Sequence, residues 1–175
     1  MNLSYNEKSS SSDRPKGHIQ FVYTDAQTGE VLGTDEESNI VVNEHRKIVI
    51  NRIYENKNDY RVRRVKIGDD VGTGTDNDPE LPTKETSGTD MNVIFETVDN
   101  IEINYPDEER ISFNIFFNGE TIMNDYPVSD QIGFTSIGLF SLNDWCFSYR
   151  RFPSRTITEN ININIIWTIY YEDEE

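Results

Sequence analysis

The side chains able to do covalent or metal chemistry are few in this sequence and stand far apart. Cys146 is the single cysteine, and His18 and His45 are the two histidines. A zinc centre needs three or four thiolate, imidazole or carboxylate ligands converging on one point. No acid or thiol stands at ligand spacing from either histidine. A lone cysteine forms no intramolecular disulfide, and within Trp145-Cys146-Phe147 it is expected as a buried thiol. Gly72-Thr73-Gly74-Thr75 looks like the start of a phosphate-cradling loop. However, no Gly-Lys-Ser/Thr follows it, and the third glycine of a dinucleotide loop is missing. There is no Gly-x-Ser-x-Gly to form a hydrolase elbow.

The acids Asp69, Asp70, Asp76, Asp78 and Glu80 pose the question of a hard cation, because Asp76-Asn77-Asp78 supplies two carboxylates and an amide. The EF-hand spacing fails there: Leu81 stands where the turn glycine belongs, and Pro82 follows. A solvated loop is the expectation. Paired carboxylates for glycoside cleavage are not singled out by abundance alone. No catalytic, cofactor-binding or metal-ligating residue is therefore assigned, no cofactor is expected, and no enzymatic activity either.

Charge narrows the partners. The 175 residues carry 32 Asp and Glu against 16 Lys and Arg, a formal net charge of −16. The excess lies mostly in the second half: residues 88–175 hold 4 basic and 16 acidic side chains, against 12 and 16 in residues 1–87. Such a field repels nucleic acid and anionic membrane and suits solubility or a basic partner. The basic cluster Arg61, Arg63, Arg64 and Lys66 is too short to reverse it and reads as the solvated side of a strand. The tail Glu172-Asp173-Glu174-Glu175 reads as a solubilising end. No apolar run approaches a membrane span, and Met1-Asn2-Leu3-Ser4-Tyr5 lacks a signal-peptide core, so the cytosol is the expected site of synthesis and assembly.

The elements that must position these residues read as β. Between Thr156 and Tyr171, Ile157, Ile161, Ile163, Ile165, Trp167, Ile169 and Tyr171 occupy odd positions. Polar residues fill the even ones apart from Ile166 and Tyr170. A period of two is the mark of a half-buried strand. Ile19, Phe21 and Tyr23 alternate likewise, then Gln27-Thr28-Gly29-Glu30 offers a turn and Val31-Leu32-Gly33 a returning strand. Asn39 to Val42 is a further short apolar piece. Arg61–Gly68, Met91–Val98, the Ile101-Ile103-Tyr105 segment and Arg110–Phe117 complete the regular part. Asn118-Gly119 is a strong hairpin signal, with Thr121 to Asn124 as its return. Residues 131–155 are less regular. One short helix near residues 43–54 is predicted, capped by Asn43, with Ile48, Val49, Ile53 and Tyr54 on its apolar side. A polar loop covers 69–87. Residues 1–16 form a flexible N-terminal arm and 17–175 a single domain. Seven to nine turn-linked strands favour an all-β fold, an antiparallel β-sandwich rather than a barrel.

The order of pieces resembles a known group. Asn39-Ile40-Val41-Val42-Asn43, a short helix, a strand ending in Ile67-Gly68, Gly72-Thr73-Gly74-Thr75 and a polar loop follow one another. Ile137-Gly138-Leu139-Phe140, Tyr149-Arg150-Arg151-Phe152-Pro153 and Ile165-Ile166-Trp167-Thr168-Ile169 come later. Over roughly residues 39–171 this is similar to virion structural proteins of tailed bacteriophages. The resemblance implies a non-enzymatic tail, baseplate, neck or fibre subunit located in the virion, assembled in the bacterial host cytoplasm. It would act by contacts with other virion proteins and with copies of itself, a homo-oligomer. The arm, the 69–87 loop and Tyr170 are its candidate contact residues. The alternatives are a capsid decoration protein and a module that binds a receptor or host surface glycan through Trp145, Tyr149 and Tyr126.

Overall fold

The computed structural model describes residues 15–41, 48, 56, 58–69, 93–98, 101–107, 110–125 and 130–170. Nine strands run through them: β1 (Lys16–Asp25), β2 (Val31–Val41), β3 (Val62–Gly68), β4 (Val93–Val98), β5 (Ile101–Asn104), β6 (Arg110–Phe117), β7 (Ile132–Ser141), β8 (Cys146–Ile157) and β9 (Ile161–Tyr170). A helix, α1 (Gly119–Asp125), and a 3-10 turn at Asn58–Tyr60 accompany them. The strands hydrogen-bond in the order β4-β3-β7-β8-β2-β1-β9-β6-β5, every pairing antiparallel. The fold is all-β and sandwich-like.

The ladder is continuous but doubles over at one point. Between β2 and β8 only Ile40↔Tyr149 and Val41↔Ser148 are paired. On one side of that crease lies a layer of four strands, β4-β3-β7-β8, and on the other a layer of five, β2-β1-β9-β6-β5. Ring contacts between the layers show that they face each other: Phe21 with Phe152 at 5.3 Å, Phe113 with Phe147 at 6.2 Å, and Phe95 with Phe117 at 5.6 Å. Edge-on geometry is what aromatic quadrupoles prefer.

The alternating segments bury the side that their period implies. Ile19 and Phe21 of β1, Val65 and Ile67 of β3, Phe113, Ile115 and Phe117 of β6, and Ile163, Ile165, Trp167 and Ile169 of β9 all lie in one core. Each fully buried aliphatic or aromatic side chain is worth about 1.5–3 kcal/mol of transfer free energy. Phe140, Cys146 and Tyr149 form a smaller cluster of their own; the Cys146 thiol is buried and free. The β1–β2 turn is built around Asp25. Its Oδ1 accepts the backbone N–H of Gln27 (2.9 Å) and of Thr28 (2.7 Å) and the Thr28 hydroxyl (3.0 Å). Gly29 then takes φ +72°, which costs glycine nothing.

Three expectations change. The long alternation from Thr156 to Tyr171 is two strands, because β8 ends at Ile157 and β9 begins at Ile161. The turn between them closes with the Ile161 N–H on the Thr158 carbonyl (3.2 Å). Ile157 and Ile161 both keep their apolar side inward, so the period runs on through the turn. Second, Asn118-Gly119 does not make a hairpin. Asn118 caps α1, its Oδ1 accepting the Thr121 N–H at 2.8 Å and its carbonyl the Ile122 N–H at 3.1 Å. Third, β2 is one continuous strand where two short pieces with a polar gap are expected. The helix near residues 43–54 lies outside the described residues apart from Ile48, which is helical and buried. Residues 1–14 of the expected arm and 70–87 of the loop also lie outside them, while Lys16 already belongs to β1.

Gly119 seats α1 on the β8–β9 turn. Its N–H donates to Asn162 Oδ1 (3.2 Å), and a Cβ there would clash with the backbone oxygens of Ile161 and Thr158. Backbone cannot swing aside as a side-chain tip can. Gly119→Ala is therefore expected to destabilise the protein by about 2–3 kcal/mol, read as a lower urea midpoint with unchanged slope.

Candidate functional site

Three surfaces bring polar side chains together, and their chemistry differs. The first lies inside the crease. Directly paired residues share a face, so Asp35, opposite Phe21, and Glu37, opposite Ile19, lie on the inward side of β2, Glu37 largely buried and Asp35 half exposed at the mouth of the crease. Arg150 and Arg155 reach them from β8. Arg150 Nη2 donates to Glu37 Oε2 and Arg155 Nη2 to Glu37 Oε1, both at 2.9 Å, and Arg155 Nη1 pairs with Asp35 and donates to the Tyr23 hydroxyl (3.0 Å). The Arg155 guanidinium also lies over the rings of Phe21 and Phe152, at 4.4 and 4.8 Å from their centres. Arg155 is 11% exposed and Glu37 16%, so water screens this pair little. Burial raises the Tyr23 phenol above its ordinary pKa against the opposing pull of Arg155. The network closes the crease by ion pairs.

The second surface is the outer face of the four-stranded layer. Asp144, in the β7–β8 turn at φ 69°, receives Lys66 Nζ at 2.7 Å and Arg64 Nη1 at 2.8 Å. Arg64 Nε also meets Glu96 at 2.6 Å, and Lys66 lies 4.6 Å from the Phe140 ring centre. Two of the four basic side chains of the cluster, Arg64 and Lys66, are thus spent on acids of their own chain, and Arg61 donates to the Asn58 carbonyl. Arg63 turns the other way and donates to the Ile101 carbonyl (3.1 Å), tying β3 to β5 across the sandwich.

The third surface is the outer face of the five-stranded layer. The register sets two rows across it: Asn104, Ser112, Thr168, His18, Ser38, and Glu102, Asn114, Ile166, Gln20, Glu36. Beside them Phe116 lies opposite Asn164. The Ser112 and Thr168 hydroxyls bond each other at 2.9 Å, while Gln20 (3.3 Å) and His18 (3.6 Å) both reach Glu36. On a chain of net charge −16 the middle of this face, from Ser112 to Asn164, holds no charged side chain. At its β5 edge an open groove of about 710 Å³ runs along Phe95, Ile101, Glu102, Asn114, Phe116 and Asn164 to Thr121 of α1. It exists because pairing of β5 with β6 stops at Ile101↔Ile115, leaving Phe116 and Phe117 beyond the end of β5. Phe116 is 51% exposed.

The residues singled out in the sequence are not brought together. His18 is on the outer face, and His45, Asp76, Asp78, Glu80 and Tyr126 lie outside the described residues. Tyr149 is buried and Trp145 sits edge-on to Tyr60, so these two do not share an open platform. Tyr170 is partly buried, opposite Lys16 and Arg110. Among the described residues no group of three His, Cys, Asp or Glu side chains converges as metal ligands, and no helix is long and apolar enough to cross a membrane. Comparison with family models, curated proteins and solved structures finds no match for this chain.

Two outcomes test this electrostatic layout. Arg155→Ala leaves Asp35 unpaired, strips Glu37 of one of its two arginines and uncovers the Phe21 and Phe152 rings, and is expected to cost about 1–3 kcal/mol. A double-mutant cycle with Glu37→Gln should return a coupling of about 1–2 kcal/mol in denaturant unfolding. For Asp144, partial burial pushes the carboxyl pKa up, but Lys66 and Arg64 outweigh it and hold the group below its ordinary value. A lowered native pKa means stability that is complete above the unfolded value, about 3.9, and lost as pH falls through the native one. Asp144→Asn, tolerated at positive φ, should flatten the decline of the thermal midpoint below about pH 4.

Proposed function

We propose that this chain is a non-enzymatic structural subunit of a tailed-bacteriophage particle, working by contact with its neighbours and with copies of itself. The observation that carries the contact reading is where its exposed apolar side chains lie. Val31 and Leu32, each more than half exposed, open β2 at one end of the five-stranded layer. Tyr105, 74% exposed, follows β5 at the other end and at the opposite lateral edge. Exposed apolar side chains at opposite corners suit head-to-tail contacts, which close into rings or continue as stacks. The rigid double layer between them acts as a spacer. Assignment to the virion, in its tail, baseplate, neck or fibre, rests on the sequence resemblance alone.

A second reading, a module that binds a host surface glycan, is favoured by the uncharged outer face and the groove at its edge. Neither reading calls for a cofactor. Sedimentation velocity over a range of protein concentrations tests the first. Association that rises with concentration and is weakened at least tenfold by Val31→Asp with Leu32→Asp is the expected result. A monomer at all concentrations, or assembly indifferent to both substitutions, would overturn it.

A further inference from the structure

We infer that the groove at the end of β5 is a binding site for a neutral glycan, with Phe116 as its stacking platform and Asn114 and Asn164 as its polar contacts. The inference adds a ligand to the subunit and stands whether or not the subunit assembles through its ends. It begins with the register. Asn164 is directly opposite Phe116, and Asn114 is two residues before it on the same strand, so the three side chains project from the same face. Ile166, opposite Asn114, is the diagonal neighbour of Phe116 and extends its apolar surface. Glu102, opposite Asn114 on β5, closes the row.

The side chains at this spot fit a sugar better than other ligands. An aromatic ring half open to solvent presents a flat apolar face, suited to the C–H face of a pyranose. A sugar hydroxyl both donates and accepts, and a carboxamide does the same through its two ends. Among the described residues the Asn114 and Asn164 amides have no protein hydrogen-bond partner, so they reach a ligand without first breaking a contact. The groove wall supplies further hydroxyls from Thr97 and Thr121.

Charge selects the class. Among the described residues no Lys or Arg lines the groove, and Glu102 is the one charged side chain there. An acidic wall without a cation disfavours sulfated and uronic polysaccharides, phosphates and nucleic acid. A neutral chain of hexoses or N-acetylhexosamines carries no such penalty. Nor does the site rest on Trp145, Tyr149 and Tyr126, the aromatic set that the sequence suggests for a glycan.

The test is calorimetric titration of the full chain with maltoheptaose, cellohexaose, chitohexaose, mannan and galactan, with heparin and hyaluronan as anionic controls. Binding of at least one neutral glycan with a Kd of about 0.1–1 mM is expected, with no heat from the anionic pair. Phe116→Ala and Asn114→Ala, both on the outer face, should each weaken that binding at least tenfold while leaving the thermal midpoint within a degree or two. Phe116→Trp should retain it, and Val31→Asp should not change it. Silence across the neutral panel, equal affinity for heparin, or binding indifferent to Phe116→Ala would each overturn the inference. Val31→Asp also tells the two proposals apart, since it strikes assembly and spares the groove.

Discussion

Everything in this fold turns on how one sheet is creased. Two backbone pairings hold β2 to β8, and beyond Tyr149 the strands part. On the other side of β8 the ladder with β7 is also interrupted, skipping from Arg151 to Arg155 past Pro153, which has no N–H to donate. A flat sheet of nine strands would expose both faces of its core. Creased, it lays one half on the other and buries Phe21 against Phe152 and Phe113 against Phe147. Where backbone rungs stop, Arg150 and Arg155 continue the connection to Glu37 and Asp35 through side chains. Charged groups serve here because they span a gap that widens away from Tyr149, which short apolar side chains do not.

The opposite flank is closed differently. β4 and β5 are the outermost strands, two residues apart in sequence yet in opposite layers. The Arg63 guanidinium crosses from β3 to the Ile101 carbonyl, so a side chain again replaces a missing ladder. Among the described residues, open grooves of about 710 and 600 Å³ lie to either side of that tie. One flank is thus sealed by ion pairs and the other is left accessible. The candidate ligand surface lies on the accessible one.

What the sequence disclosed follows the same division. β1, β6 and β9 were readable because their inward residues are apolar and alternate. β2 was not, since its inward positions include Gly33, Asp35 and Glu37, a pattern indistinguishable from a polar loop until Arg150 and Arg155 are seen opposite. Asn118-Gly119 suits a tight hairpin and a helix cap equally. The decision came from the distant Asn162 amide and the β8–β9 carbonyls, which no local pattern contains. The groove residues were visible as the even positions of two alternating segments. That Asn114, Phe116 and Asn164 are neighbours depends on β6 lying beside β9, a pairing across some fifty residues of chain. A period identifies a face but carries no information about which strand comes next to it.

One consequence of the ion pairs reaches beyond the single subunit. Arg64, Lys66, Arg150 and Arg155 are all turned toward carboxylates of their own chain. These four cations are spent within the molecule, and at a net charge of −16 two such molecules meet first as like-signed colloids. Close approach then belongs to the neutral parts of the exterior and to media whose counterions shorten the repulsion to roughly 8 Å at physiological ionic strength. Dilute, salt-poor solution strengthens that repulsion, and added salt weakens it.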